Sequence, residues 1–286
     1  MSATVELARG RLGPSGIPDR MRRSVRDSLL VARRNVVTLT RVPAVFIFEL
    51  VQPIMFVLLF VFIYADQLSR LPPGLDYVQF LMPGIFVQNA LFQSTNTAIG
   101  LAEDMKRGIL DRFRSLPMAR SAVVAGRTTS DLIKNALVLT IVIGVGFLVG
   151  FRFLNGFANA VGMYALVIAV GFAFSWISAC IGLSLKEVEA VQAASFTWIF
   201  PVVFVSSAFV PVDGMASFLQ PIAEANPVTV WCNLARYLVN GEAGILDATG
   251  QPVATFDELV VKSVLWLAGI CLVFIPLAIR LYRKLD

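Results

Sequence analysis

The sequence predicts an all-α polytopic membrane protein with six transmembrane helices. Of its 286 residues, 57% are hydrophobic and 15% are charged, whereas about 25% of the residues in an ordinary soluble domain are charged. The apolar residues collect in runs near the ~20 residues that cross the hydrocarbon core of a bilayer. The predicted spans are Ala44–Tyr64, Phe80–Leu101, Leu132–Gly150, Ala158–Leu183, Ala190–Ala208 and Leu259–Ile279.

Two different segments precede the first span. Residues 1–20 are rich in Gly, Pro, Ser and Arg, a composition typical of a disordered tail. Over residues 21–43 apolar side chains recur at the spacing of one helical face, and arginines occupy the neighbouring faces. This pattern predicts an amphipathic helix in the membrane interface, although a surface helix packed on protein has the same pattern. The arginines expected to face anionic headgroups are Arg22, Arg26, Arg33 and Arg34.

The distribution of basic residues predicts that both termini are cytoplasmic. With six spans, all but four of the 24 Lys and Arg residues lie on the side of the N-terminus, as the positive-inside rule requires. The four exceptions are Arg70, Arg152, Arg236 and Lys262. Because the basic residues cluster beside spans, the net charge of +5 indicates a multi-pass protein of the cell membrane rather than a nucleic-acid-binding protein.

The sequence predicts no catalytic, cofactor-binding or metal-binding residue. It contains no histidine, which removes His-dependent nucleophiles, His-ligated zinc and His proton relays. No phosphate-binding loop of the GxxxxGK[ST] kind is present. Ionisable residues are not placed convincingly at mid-membrane depth, as a proton-coupled carrier would require. Any ATP-driven work therefore needs a separate polypeptide.

The segment Glu103–Arg127 between the second and third spans is strongly charged. Its apolar residues Ile109, Leu110, Phe113 and Leu116 recur at helical spacing, and Pro117 ends that pattern. This pattern predicts a short amphipathic helix at the membrane surface, and such a helix can press on a soluble partner. A merely solvated loop has the same composition.

The second predicted span carries a polar face. Asn89, Gln93 and Asn96 share this face, and Thr97 lies beside it. Lipid would penalise these side chains, so the face turns toward protein or toward a water-filled path. Contacts between helices or subunits and the lining of a substrate pathway are both compatible with the pattern.

The long outer loop before the sixth span, Phe209–Glu258, mixes apolar residues with Pro and Gly. This mixture predicts a re-entrant outer segment that protein shelters. Within it, Asn226 and Pro227 start an amphipathic helix and Gly241 ends it. Trp231 and Tyr237 suit the outer interface, and Arg236 is expected on the polar side.

Three ordered stretches resemble the permease subunits of ABC-2 exporters, in particular the daunorubicin/doxorubicin-resistance group. FIFELVQPIMF at Phe46–Phe56 resembles the Gln-Pro opening of the first span in that family. RGILDRFRSLPMARSAVVAGR at Arg107–Arg127 resembles its loop after the second span. LQPIAEANPVTVWCNLARYLVNG at Leu219–Gly241 resembles its Asn-Pro helix. Residues 44–286 would then be a six-helix ABC-2 type transmembrane domain.

The resemblance implies a permease that is not itself an enzyme. It would pair with a second copy or a related permease and with an ABC ATP-binding subunit that holds ATP and Mg²⁺. The cargo would be a hydrophobic or amphipathic drug, such as an anthracycline, or a lipid. A polysaccharide or lipid-linked glycan exporter shares this plan, and an ATP-independent carrier or a membrane enzyme is the alternative of another class. By motif position, the residues of the ATPase-coupling loop are Glu103, Gly108, Arg112, Pro117 and Arg127.

Overall fold

The computed structural model describes residues 43–64, 75–108, 120–185, 187–247 and 249–284. Each of the predicted spans coincides with a long helix. The long helices are α1 (Pro43–Tyr64), α2 (Tyr77–Lys106), α3 (Arg120–Leu148), α4 (Gly156–Ser184), α5 (Val188–Phe204) and α8 (Phe256–Lys284). Shorter elements lie between α5 and α8: a 3₁₀ turn (Val212–Gly214), α6 (Gln220–Ala225), α7 (Pro227–Asn240) and a second 3₁₀ segment (Gly241–Ile245).

Helix α2 is the centre of the bundle. It packs most extensively against α4, and also against α3, α5, α7 and α1. Most of its residues are buried, from Tyr77 near its start to Asp104 near its end. Glycine permits the closest helix contact: a Cβ atom on Gly182 of α4 would lie 2.5 Å from the carbonyl oxygen of Ala98 on α2. The central helix is therefore fixed by backbone-to-backbone packing as well as by side chains.

Within the described residues, three helices are both long and apolar enough to cross a membrane. They are Arg127–Leu148, Gly156–Ser184 and Phe256–Arg283, and Leu50–Ile63 and Val188–Phe204 form shorter apolar helices. Length and composition thus support a multi-pass membrane protein. The full set of six crossings, the cytoplasmic termini and the re-entrant outer segment stay predictions.

Some sequence predictions lie outside the described residues. The N-terminal tail, the interfacial helix and its arginines Arg22, Arg26, Arg33 and Arg34 belong to this group, as do Arg112 and Pro117 of the coupling loop. The two ends of the coupling loop, at the close of α2 and the opening of α3, are described.

Candidate functional site

The end of α2 presents exposed charges at the start of the coupling loop. Glu103 pairs with Arg107 at 3.4 Å, and Lys106 pairs with Glu187, just before α5, at 3.5 Å. Gly108 has φ +63, a left-handed conformation that glycine adopts without cost and that stops the helix. Helix α2 therefore ends just before Gly108.

Arg127, at the other end of this loop, turns into the bundle. Its guanidinium lies 3.8 Å from Asp104 and 3.5 Å from Asp131, and it donates to the carbonyl of Asn96 at 3.4 Å. The space it fills exists because Gly100 on α2 has no side chain. Arg127 thus joins α3 to α2, a role that its motif position alone did not indicate.

The polar residues of α2 divide between two clefts. Gln93 and Thr97 face a cleft against α3 and α4, where Thr97 donates to Asp131 at 2.6 Å. Asn89 faces a second cleft, against α1, and Asn96 donates to Gln93 at 2.8 Å. The sequence predicted one polar face, but α2 has protein on nearly every side, so neighbouring polar residues meet different helices.

Beside the second cleft, phenylalanine rings form a continuous surface, here called the aromatic face. Neighbouring centroids are 4.5 Å apart between Phe60 and Phe209 and 5.3 Å apart between Phe92 and Phe200. Phe200 is 42% exposed and Phe204 is 47% exposed, so part of the face lies at the surface of the described bundle. The face consists of Phe56, Phe60, Phe92, Phe196, Phe200, Phe204 and Phe209.

The second cleft, here called the aromatic cleft, combines rings of the aromatic face with unsatisfied amides. Phe56 and Phe92 of the aromatic face line it, and its free space is about that of one water molecule. Gln88 Oε1 and Asn89 Nδ2 are buried in this region, and neither has a hydrogen-bond partner among the described residues. A buried polar group without a partner costs roughly 1–3 kcal/mol, so a molecule that bonds both groups would recover that cost. The remaining lining residues are Gln52, Pro53 and Ile85.

The start and end of α7 agree with the sequence prediction. The Asn226 side chain accepts from the backbone N–H of Val228 at 2.9 Å, and Pro227 occupies the first turn. Gly241 follows the last residue with φ +70. These caps set the length of the helix and its entry direction.

The expectation that Trp231 reaches the membrane interface is wrong. Trp231 is completely buried, and its ring meets that of Phe174 on α4 edge-on, with the centroids 5.5 Å apart. The reason is that α7 packs against α2, α4 and α8 together, so little of the helix is left to face lipid or water. The helix is amphipathic, but protein covers its apolar side.

Arg236 is also buried, with 1% exposure, instead of facing outward on the polar side of α7. Its Nε donates to the Phe80 carbonyl of α2 at 2.9 Å, and its Nη2 donates to the carbonyl groups of Ser207 and Ala208. The guanidinium lies 3.6 Å from the centroid of the Phe80 ring, a cation–π contact. One sequence signal was compatible with this role, because Arg236 is among the few basic residues that the predicted topology places on the side opposite the N-terminus.

These features define a class: a helical membrane permease with a polar central helix, a charged loop at the end of that helix and an aromatic cleft beside it. The chain belongs to the ABC-2 type transporter family, whose family model matches residues 27–239. It is 32% identical, over 88% of its length and 84% of the relative's, to a daunorubicin resistance ABC transporter permease protein of Streptomyces coeruleorubidus. It is 26% identical, over 99% of its length and 97% of the relative's, to a probable doxorubicin resistance ABC transporter permease protein of Mycobacterium tuberculosis.

A probable multidrug ABC transporter permease of Escherichia coli is 21% identical over 60% of this chain and 47% of its own length. The resemblance drawn from the three sequence stretches is therefore confirmed at the level of the family. The chain is a multi-pass permease of the ABC class.

Proposed function

We propose that this permease exports a hydrophobic or amphipathic molecule with a flat aromatic core, such as an anthracycline drug. The observation that carries the proposal is the cleft between α1 and α2, where the unsatisfied amides of Gln88 and Asn89 adjoin the rings of Phe56 and Phe92. Aromatic rings stack on flat apolar molecules, and the two amides supply one acceptor and one donor. The names of two relatives, which mention daunorubicin and doxorubicin resistance, support the same class.

The cleft holds one edge of the cargo rather than all of it. Its free space is about that of one water molecule, far below the roughly 300–1,000 Å³ of pockets that enclose drug-sized ligands. The exposed rings of Phe200 and Phe204 continue from the cleft and offer the rest of the contact area. A glycan, which has hydroxyl groups on most sides, fits this apolar surface less well, so a polysaccharide or glycolipid cargo is the weaker proposal.

Energy for export comes from a separate ABC ATP-binding subunit that holds ATP and Mg²⁺. The coupling loop that starts at Glu103 and Gly108 receives its movement and passes it to α2 and α3. Arg127 supports this step, because it ties α3 to α2 through Asp104 and the carbonyl of Asn96. A second copy of the chain or a related permease completes the transporter in the cell membrane, with both termini on the cytoplasmic side.

The amides of the aromatic cleft provide the direct test. Gln88→Leu and Asn89→Leu are compared with the unchanged chain in a drug-sensitive host that also expresses the cognate ATP-binding subunit. Because neither unsatisfied atom has a partner to lose, thermal stability should stay equal or rise slightly, while efflux of a fluorescent anthracycline should fall about tenfold. Phe62→Leu, at an exposed position on α1, is the control and should leave efflux unchanged. Unaltered efflux in both amide variants would contradict the proposed cargo site.

A further inference from the structure

We propose that the cleft between α2, α3 and α4 is a binding site for a small monovalent cation. This cleft has room for about one water-sized group and is separate from the aromatic cleft. The lining residues are Gln93, Ser94, Thr97, Asp131, Leu132, Asn135, Gly171 and Ser175. The inference concerns this chain alone and does not depend on which molecule is exported.

A buried, unsatisfied oxygen marks the site. Asn135 of α3 is only 4% exposed, and its Oδ1 has no hydrogen-bond partner in the described parts of the chain. The amide fits against α4 because Gly171, which has no side chain, stands opposite its Nδ2. A molecule or ion that bonds to this acceptor would recover the roughly 1–3 kcal/mol that an unpaired buried acceptor costs.

The hydroxyl groups of the cleft have already used their protons. Ser94 donates to the Leu91 carbonyl at 2.6 Å, and Ser175 donates to the Phe172 carbonyl at 2.7 Å. Thr97 donates to Asp131 at 2.6 Å. Each hydroxyl oxygen then turns only lone pairs toward further partners. The cleft is therefore rich in oxygen acceptors.

The charge and the size of the cleft select the occupant. Carboxylate, amide and hydroxyl oxygens are the ligands that hard cations prefer. Asp131 is the one carboxylate among the lining residues. Arg127 lies 3.5 Å from Asp131 and 3.8 Å from Asp104, so the two carboxylates share one guanidinium and leave one negative charge, which a single positive charge balances. The volume also excludes a drug-sized molecule. A sodium or potassium ion and a protonated primary amine share the required chemistry.

Thermal unfolding of the purified full-length permease tests the inference. The unfolding temperature is measured at constant ionic strength in N-methylglucamine chloride, with sodium, potassium or methylammonium chloride replacing part of it. At about tenfold excess over the dissociation constant, a bound cation should raise the unfolding temperature by about 2–4 °C. A response to sodium or potassium identifies a metal ion, and a response to methylammonium alone identifies an amine. Equal unfolding temperatures in all of these salts would overturn the inference.

Substitutions test whether the cation that changes the unfolding temperature binds in this cleft. Asn135→Ala removes the unsatisfied oxygen, loses no internal hydrogen bond of that atom, and should abolish the cation effect. Asp131→Asn keeps an acceptor for Thr97 and should weaken the effect by about tenfold in cation concentration. Asn240→Ala is the matched control, because Asn240 Oδ1 is also buried and unpaired but lies outside the cleft. A cation response that persists in Asn135→Ala, or disappears in Asn240→Ala, would show that the cleft is not the site.

Discussion

Helices α2 and α8 contrast in composition and in surroundings. Helix α8 contains the most apolar of the membrane-length segments, yet only 11% of that segment is buried within the chain. Helix α2 is buried along nearly its whole length, although it is not among the helices that qualify as apolar spans in the described residues. A side chain in lipid must be apolar, whereas one inside the bundle only needs a partner. Of these two helices the more apolar one is the more exposed, so hydropathy does not identify the helix at the centre of the fold.

The side chains of the two helices show the same difference. Exposed positions of α8 are large and apolar, among them Leu265, Leu272 and Val273. Buried positions of α2 include Gln88, Asn89 and Thr97, which line the two clefts. The central helix therefore carries the candidate binding groups, and the peripheral helix provides a surface suited to lipid.

The largest expected effect concerns the buried arginine that holds α7 to α2. Arg236→Ala leaves the carbonyl groups of Ser207 and Ala208 without their donor, so the free energy of unfolding should fall by about 4 kcal/mol. Arg152→Ala is the control, because Arg152 also donates to two carbonyl groups but is exposed, and its loss should cost about 0.5 kcal/mol. Thermal unfolding in detergent measures both. Equal losses would mean that burial of Arg236 contributes little.

A charge on α8 tests whether its exposed side meets lipid. Leu272 is 75% exposed, and Leu272→Asp should reduce membrane insertion by about 3 kcal/mol if lipid covers that position. Val253→Asp changes an exposed apolar residue in the preceding loop and should be neutral. The yield of folded protein in the membrane fraction reports the difference. Normal insertion of the Leu272 variant would place this side of α8 against water or a polar partner.

Two glycine substitutions compare packing around the two helices directly. Gly182→Ala places a methyl group against the Ala98 carbonyl of α2 and should destabilise the protein by about 1–2 kcal/mol. Gly269 of α8 has open space at the Cβ position among the described atoms, so Gly269→Ala should stabilise its helix by about 0.5 kcal/mol. A lower unfolding temperature for Gly182→Ala and a higher one for Gly269→Ala would support the difference in packing between the two regions. Changes in the same direction would contradict it.

The smallest effect concerns the turn that leads into α8. Hydrogen bonds from Thr249 and Gln251 to the Asp247 carboxylate hold the pKa of that group below its usual range. A lowered folded-state pKa stabilises the turn above the unfolded pKa, and this contribution is lost as the pH falls through the folded pKa. Exchange of the Thr249 and Gln251 amide hydrogens should therefore speed up in acid beyond the intrinsic pH effect. In Asp247→Asn the ratio of observed to intrinsic exchange should no longer vary over this pH range.

Much of the fold follows from local patterns. The long apolar runs predicted the long helices, because a helix satisfies its own backbone groups in lipid. Asn226, Pro227 and Gly241 predicted the ends of α7, because capping depends on a few neighbouring residues. The family was also predictable, since its characteristic stretches are continuous in sequence.

The surroundings of individual side chains were less predictable. Trp231 is of a residue type that is common at membrane interfaces, but it is buried because Phe174 of α4 packs against it. Thr97 pairs with Asp131, and Arg127 pairs with Asp104. In both pairs one residue lies on α2 and the other on α3. Periodicity predicts which residues lie on the same face of a helix, but it does not predict which helix packs against that face.

The sequence by itself determined the class, the helices and the charged loop, because each depends on residues that are neighbours along the chain. Only the tertiary structure decided that α2 is the centre, that its polar residues separate into two clefts, and that Arg236 is buried. Glycines permit part of this packing: Gly182 lies against the α2 backbone, and Gly100 and Gly171 leave room for Arg127 and Asn135 of α3. A glycine in the sequence permits close packing, but it does not show which residue packs against it.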